Sequence, residues 1–507
     1  MAETCQLPNL RPPTLVDVMR YRLHHGANLG SVFVLERWLT PSMFPSNAIG
    51  QSELCAAEAW AKLESLSRTK ERFETHWRQY VNDGDLDWLK DVAKCTTVRL
   101  PIGYFTLGPA FCARTPFERV AGVYADAWGC VLELVRRCSR RGIGVLLDLH
   151  ALPGGANTGI HSGTDAGVAE FWCSMAFRHL ATQCLIFIAK EVKGVDGVVG
   201  IQLVNEAEFE APRMYDWYDS VLSELGKIDA SLPIYISDGW NLKQAIDWSQ
   251  RQNSLTAPLL NPIAIDTHCY WCFSTEDKQK PPQQIINDVP ASLSALKGKD
   301  GNIVDRGAAQ VVVGEYSCVL DNKTWGKRNP TTPRNEIVSA FGKAQCEHFQ
   351  RRAGGSFFWS YRMDWMNGGE WGFRQMTEAH AISTPAHLEL SRDEVRKRIS
   401  VARAQREARG RDAVAQHNRY WDGTYPGHYE HWRFEHGWGV GIDDALAYFQ
   451  MRGHHGLEGA DKIGMLDLWC LKRLREGGER LSGGGFGWEF EQGMREGVRD
   501  FQECVRL

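Results

Sequence analysis

Along this chain, short runs of continuous apolar residues take turns with longer stretches in which apolar positions recur every three or four residues. Eight runs stand out: "GANLGSVFVLE", "TTVRLPI", "GVLLDLH", "GVVGIQLVNE", "PIYISD", "PIAIDTHCY", "QVVVGEYS" and "GSFFWSY". Between them lie segments such as "RVAGVYADAWGCVLELVRRCSRRG", whose apolar spacing is helical. Strands covered on both faces read as continuous apolar runs rather than as alternation. Strand–helix succession repeated eight times therefore predicts an α/β fold, a (β/α)8 TIM barrel.

The pattern changes near residue 385. "SRDEVRKRISVARAQREARGRDAVAQ" is densely charged with few apolar positions, which predicts a helix with a large solvated face. Further helix-like stretches follow. The expected organisation is a barrel over residues 1–385 and a mostly helical extension, packed on it, over 386–507. "SGGGFGW" at 482–488 lacks the Lys-Ser/Thr of a phosphate-binding loop and reads as a turn.

Composition narrows the choice of function. With 507 residues, 43% hydrophobic and 24% charged, the chain can bury a large core. A net charge of −4 gives no broad basic face for nucleic acid. No run approaches the roughly 18 apolar residues of a membrane span. The opening "MAETCQLPNLRPPTL" lacks the basic start and apolar stretch of a secretory signal, so an intracellular, cytoplasmic protein with reduced cysteines is expected. Cys269 and Cys272 form a C-x-x-C with no second ligand pair, which argues against zinc. Several of the 19 Trp residues sit beside Gly and polar residues, as in "DGWN" and "GEWGF", where an indole can offer a flat face to a sugar ring.

Barrel enzymes carry their chemistry at the C-terminal ends of the strands. Here the second run carries Arg99, the third ends at His150, and the fourth at Asn205 and Glu206. The sixth ends at His268 and Tyr270, the seventh at Glu315 and the eighth at Trp359. A single polar ending could be a helix cap; so many converging on one face predict a site. Two carboxylates on opposite sides of a barrel mouth suit acetal cleavage, in which one carboxyl donates a proton and the other stays ionised. Arg99 is expected to hold Glu315 ionised, and burial beside that charge to raise the pKa of Glu206. A metal centre is not expected, because no acidic cluster is evident beside His150 or His268.

These segments, with "HGANLGSVFVLERWLTPSMF", "VRLPIGYF", "LLDLHALPGGANTGIHSG", "IQLVNEAEF", "DTHCY", "GEYS" and "FFWSYRMDW…GEWGF" in order over residues 20–380, resemble glycoside hydrolase family 5. The resemblance is to its fungal exo-β-1,3-glucanase and β-glucosidase branch, including intracellular relatives with a C-terminal extension. It implies a retaining exo-acting β-glycosidase that needs no cofactor. Glu206 would be the acid/base and Glu315 the nucleophile. Arg99 and Tyr270 would support Glu315, and His268 would tune Glu206. Asn205 and His150 would hold sugar hydroxyls, Trp359 would lie beneath the ring, and Glu36 would help close the pocket. The chain departs from the branch at 151–163, where the Asp that contacts substrate has no counterpart, and at Tyr316, where Trp is common. Two alternatives stay open: a glycolipid β-glucosidase (steryl or ceramide glucoside), and a catalytically inactive carbohydrate-binding protein. The oligomeric state is not legible.

Overall fold

A computed structural model describes residue 8 and residues 10–257, 261–299, 301–364 and 368–507. Most of the opening stretch and Trp365 of the last aromatic motif lie outside the described residues. Eight parallel strands form one sheet: β1 (His24–Ala27), β2 (Thr97–Gly103), β3 (Gly144–Ala151), β4 (Val198–Gln202), β5 (Ile234–Ser237), β6 (Ile263–Cys269), β7 (Val311–Tyr316) and β8 (Gly355–Phe358). From β2 to β8 each strand pairs with its sequence neighbours, and β1 pairs with β8. The Thr96 N–H donates to His25 O at 2.8 Å and the Leu29 N–H to Arg99 O at 2.9 Å, closing the barrel between β1 and β2. Every strand residue is buried except His268, which is intermediate, as expected for strands walled on one side by helices and filled on the other by packed side chains.

All eight apolar runs contain a strand, but the first is mostly something else. Only its first two residues, Gly26 and Ala27, are extended, as the end of β1; the apolar stretch from Leu29 to Leu35 is a buried series of turns at the barrel mouth. Ser31 has φ 61°, its carbonyl lies 2.8 Å from His76 Nε2, and the Leu35 N–H donates to Glu53 Oε2 at 2.6 Å. The run is apolar because helices Glu53–Leu63 and Leu66–Gln79 cover it, and burial alone does not distinguish strand from packed loop.

The extension contains helices Arg392–Thr424, His431–His454, Leu466–Gly477 and Gly487–Cys504. Its side chains share a hydrophobic cluster with Leu146, Val199, Tyr235, Ala264, Val312 and Phe357, all within the first three residues of their strands. The extension therefore seals the floor of the barrel, opposite the end at which the strands finish. The chain leading into helix 466–477 is stitched to helix Leu15–Tyr21 and to β1: the Leu23 N–H donates to Lys462 O, and the Gly464 and Met465 N–H groups donate to Tyr21 O, each at 3.0 Å. Buried Arg22 pairs with Asp461 at 3.5 Å.

Helices 431–454 and 487–504 approach unusually closely through glycines. A Cβ on Gly437 or Gly441 would lie 2.2 or 2.1 Å from the carbonyl oxygens of Phe490 and Met494, and one on Gly493 or Gly497 would meet those of Phe434 and Trp438 at 2.1 and 2.2 Å. Gly441→Val must separate the helices, since backbone cannot swing aside as a side chain can. We expect it to lower stability by about 1–3 kcal/mol or more, read as a lower denaturant midpoint. An unchanged midpoint would mean that the helices can part without loss.

Candidate active site

The polar strand ends converge. Arg99 is fully buried on the barrel axis and binds almost every element around it. Its Nη1 donates to Asn28 Oδ1 at 2.8 Å and Glu315 Oε1 at 3.1 Å, its Nη2 to Asn205 Oδ1 at 2.7 Å, and its Nε to Gln202 Oε1 at 2.9 Å. Nη2 also lies 3.0 Å from Asp148 and 3.5 Å from Asp266. A planar guanidinium with five donors suits such a hub.

Glu315 is held from its other side by Tyr270, whose hydroxyl donates to Oε2 at 2.8 Å. Glu206 stands just past β4 with φ 43°, in the left-handed region that side-chain-bearing residues seldom adopt. Its carbonyl accepts from Asn157 Nδ2 at 2.9 Å, which fixes the turn. His268 Nδ1 lies 2.9 Å from Glu206 Oε1 and 3.5 Å from Glu315 Oε2, while its Nε2 lies 3.2 Å from Asp266. His150 is buried, with Nδ1 2.6 Å from Asp148 and its ring parallel to Trp359 at 5.8 Å. A cis peptide joins Trp359 to Ser360.

Glu36, His150, Asn205, Glu206, Tyr270, Glu315 and Trp359 all line one cleft of about 320 Å³, which Trp38, His161, Phe273 and Trp371 complete. Arg99 and His268 lie behind it, bonded to its carboxylates. Glu36 is thus a cleft residue rather than a surface charge. It accepts a 2.9 Å bond from Trp38 Nε1, and burial, with help from the charge of Glu206, pushes its carboxyl up to about 7. Past Phe273 and Trp371, which line both, lies a wider groove of about 1470 Å³ whose wall includes Val319, Leu320, Val338 and Met376.

The charge distribution reverses the sequence expectation. Burial raises Glu206, but its bond to His268 and the nearby His161 outweigh burial and leave it well below the usual carboxylate range. At Glu315 burial wins over His268 and Arg99, pushing the carboxyl up to about 7. Arg99 draws Glu315 down, but its charge is shared with Asp148 and Asp266 and does not offset burial. His268 is buried, yet Glu315 and Asp266 make it far more basic than usual.

Several contributors were not singled out from sequence. Asp148 in "LLDLH" and Asp266 in "AIDTH" are carboxylates inside apolar strands, a signal that was there to be used. His161 gave no such signal. It sits in the short turn Ile160–Ser162, within the segment that departs from the fungal branch, and its Nε2 lies 3.4 Å from Glu206 Oε2. The structure also corrects the view that no acidic cluster accompanies the histidines: Glu206, His268 and Glu315 offer ligand atoms within 4.8 Å of one another. The raised basicity of His268 keeps its ring protonated there, which makes it a poor metal ligand.

Carboxylates and indoles gathered in one cleft at the mouth of a (β/α)8 barrel, with a buried arginine behind them, are the apparatus of a glycoside hydrolase. Residues 64–362 match the cellulase family, glycosyl hydrolase family 5, and residues 402–505 match the glucan 1,3-beta-glucosidase 3 C-terminal domain. The chain belongs to glycosyl hydrolase family 5. It is 30% identical to an uncharacterized glycosyl hydrolase of Saccharomyces cerevisiae, covering 98% of this chain and 95% of the relative. It is 29% identical to glucan 1,3-beta-glucosidase 3 of Schizosaccharomyces pombe, covering 94% and 95%. Rutinosidase from Aspergillus niger shares the barrel fold, with a TM-score of 0.55 at 15% identity over 72% of this chain and 99% of that one. No helix among the described residues is long and apolar enough to cross a membrane.

Proposed function

We propose that this enzyme is a retaining, exo-acting β-glucosidase of the glucan 1,3-β-glucosidase type. The observation that carries the reading is the pair Glu206 and Glu315, which each bring one carboxylate oxygen within 4.8 Å of the other's and of a ring nitrogen of His268. Retaining glycosidases hold their carboxyl groups about 5–5.5 Å apart, whereas inverting ones need about 6.5–9.5 Å for a water. The name of the fission-yeast relative supports the glucosidase reading.

In this scheme the terminal sugar lies on Trp359, with Glu36 and Trp38 at the closed end and the leaving group toward Phe273 and Trp371. Asn205 presents its amide to the 2-hydroxyl while Arg99 holds its carbonyl. Glu206 protonates the glycosidic oxygen as Glu315 attacks the anomeric carbon, and the C–O bond to the leaving group breaks. Water, deprotonated by Glu206, then attacks the glycosyl–Glu315 ester and releases the sugar with its configuration retained. Glu206 is held low and Glu315 high, so the shared proton has to be carried to Glu206 before attack. His268 Nδ1, 2.9 Å from one carboxylate and 3.5 Å from the other, provides a route.

The pair works only while it holds one proton. Because the carboxyl that retains the last proton is raised to about 7, kcat/KM should fall as pH rises through about 7. A pH profile on an aryl glucoside measures this; a flat profile to pH 9 would contradict the shared-proton arrangement.

The reading is tested by a panel of aryl β-glycosides that differ only in the sugar, with product configuration followed by NMR. Release from the β-glucoside with a β-configured first product supports it; an α-configured first product overturns retention. The apolar wall of the outer groove favours one variant, an apolar aglycone such as that of a glycolipid. Faster turnover of lipid glucosides than of laminari-oligosaccharides would select it.

A further inference from the structure

A second cluster of potential ligand atoms lies in the extension, remote from the cleft. His417 belongs to helix 392–424, His431 opens helix 431–454, and Glu489 lies in the first turn of helix 487–504. His417 Nε2 is 3.2 Å from Glu489 Oε2 and His431 Nδ1 is 3.1 Å from that same oxygen, with the three atoms within 4.8 Å of one another. Tetrahedral zinc with bonds of about 2.0–2.1 Å places its ligand atoms about 3.3 Å apart. Two edges of the required triangle are therefore nearly in place without a backbone shift.

The surroundings are those of a built site. The other ring nitrogen of His431 lies 3.2 Å from Asp422 Oδ1, the carboxylate–histidine arrangement that orients metal ligands. Glu489 is fully buried, and its second oxygen accepts the Glu430 N–H at 2.7 Å, which aims the first at the histidines. His417 stacks on Phe434 at 3.9 Å, and Trp488 packs nearby. The Nδ1 of His417 has no hydrogen-bond partner, so nothing else commits that ring to a tautomer. Neutral imidazoles and one carboxylate form an N,N,O donor set suited to zinc.

We propose that His417, His431 and Glu489 bind one Zn²⁺, with water as fourth ligand, and that the ion pins the ends of three extension helices together. Binding replaces the two His–Glu489 hydrogen bonds with three metal–ligand bonds, and each neutral ring then carries its single proton on the other nitrogen, Nδ1 of His417 and Nε2 of His431, where the latter faces Asp422.

The test is titration of the chelator-stripped full-length chain with Co²⁺, read by its visible absorption, and with Zn²⁺, read by calorimetry and by melting temperature. It is run in the Glu315→Gln background to remove the cleft cluster. One equivalent with a tetrahedral cobalt spectrum and a higher melting temperature is expected. Glu489→Gln and His431→Gln should abolish the spectrum, and Asp422→Asn should weaken affinity about 10–100-fold. Absence of a tetrahedral spectrum, or a spectrum indifferent to Glu489→Gln and Asp422→Asn, overturns the site. Should Glu489→Gln fail to fold, Asp422→Asn decides alone, because it leaves the buried carboxylate intact.

Discussion

Glu206→Ala should lower kcat/KM on natural glycosides by about 10²–10⁴-fold, the contribution of a positioned general acid. Glu315→Ala should cost at least as much, because no glycosyl–enzyme ester can then form. The two losses should respond differently to the leaving group. An aryl glycoside with an acidic phenol needs little protonation, so Glu206→Ala should recover much of its rate on that substrate and Glu315→Ala should not. Steady-state kinetics on a good and a poor leaving group separates them. Near-normal turnover by either variant would remove the two-carboxylate scheme, and recovery by Glu315→Ala alone would exchange the two roles.

Deleting residues 386–507 should prevent formation of a stable barrel. The strand-start residues Val199, Tyr235, Ala264 and Val312 are fully buried, and they share one apolar cluster with Trp469, Met465 and Phe490 of the extension. Removing that layer would expose a continuous apolar floor and leave Arg22 without Asp461. The expected result is insoluble protein, or soluble protein with no cooperative melt, measured as soluble yield and by circular dichroism against temperature. A truncated chain with a sharp transition near that of the whole would show that the floor repacks by itself. The floor position also keeps the extension away from the cleft. It neither covers the cleft nor shelters an aglycone; any apolar leaving group must be met by the groove beyond Phe273 and Trp371.

The barrel was legible because parallel strands buried on both faces leave an unmistakable trace, as in "QVVVGEYS". Glu206, Glu315, His268 and Tyr270 were legible because each interrupts or ends such a run, and a polar group there needs a reason. What was not legible depends on contacts distant in sequence. Arg99 can be placed on β2, but its division among three carboxylates follows from barrel closure, so the proton balance between Glu206 and Glu315 came out reversed. His161 reaches Glu206 through a loop whose path no local pattern specifies. The run "LGSVFVLE" had the composition of a strand because it is buried, not because it is extended. In the extension, Gly437, Gly441, Gly493 and Gly497 recur at four-residue spacing in two helices, a pattern that could have signalled their close crossing.

With the floor sealed by helix Leu15–Tyr21 and the extension, attachment and access are separated. Leu10, Pro12 and Pro13 lie against the extension helices, and Arg398 of helix 392–424 donates to the Val505 carbonyl at 2.6 Å, so residues 10 and 507 both emerge on the underside. A tether joined at residue 507 would anchor the enzyme to a bead or a fusion partner with its mouth facing outward. Long or insoluble saccharides could then be offered to the immobilised protein without the support standing in their way.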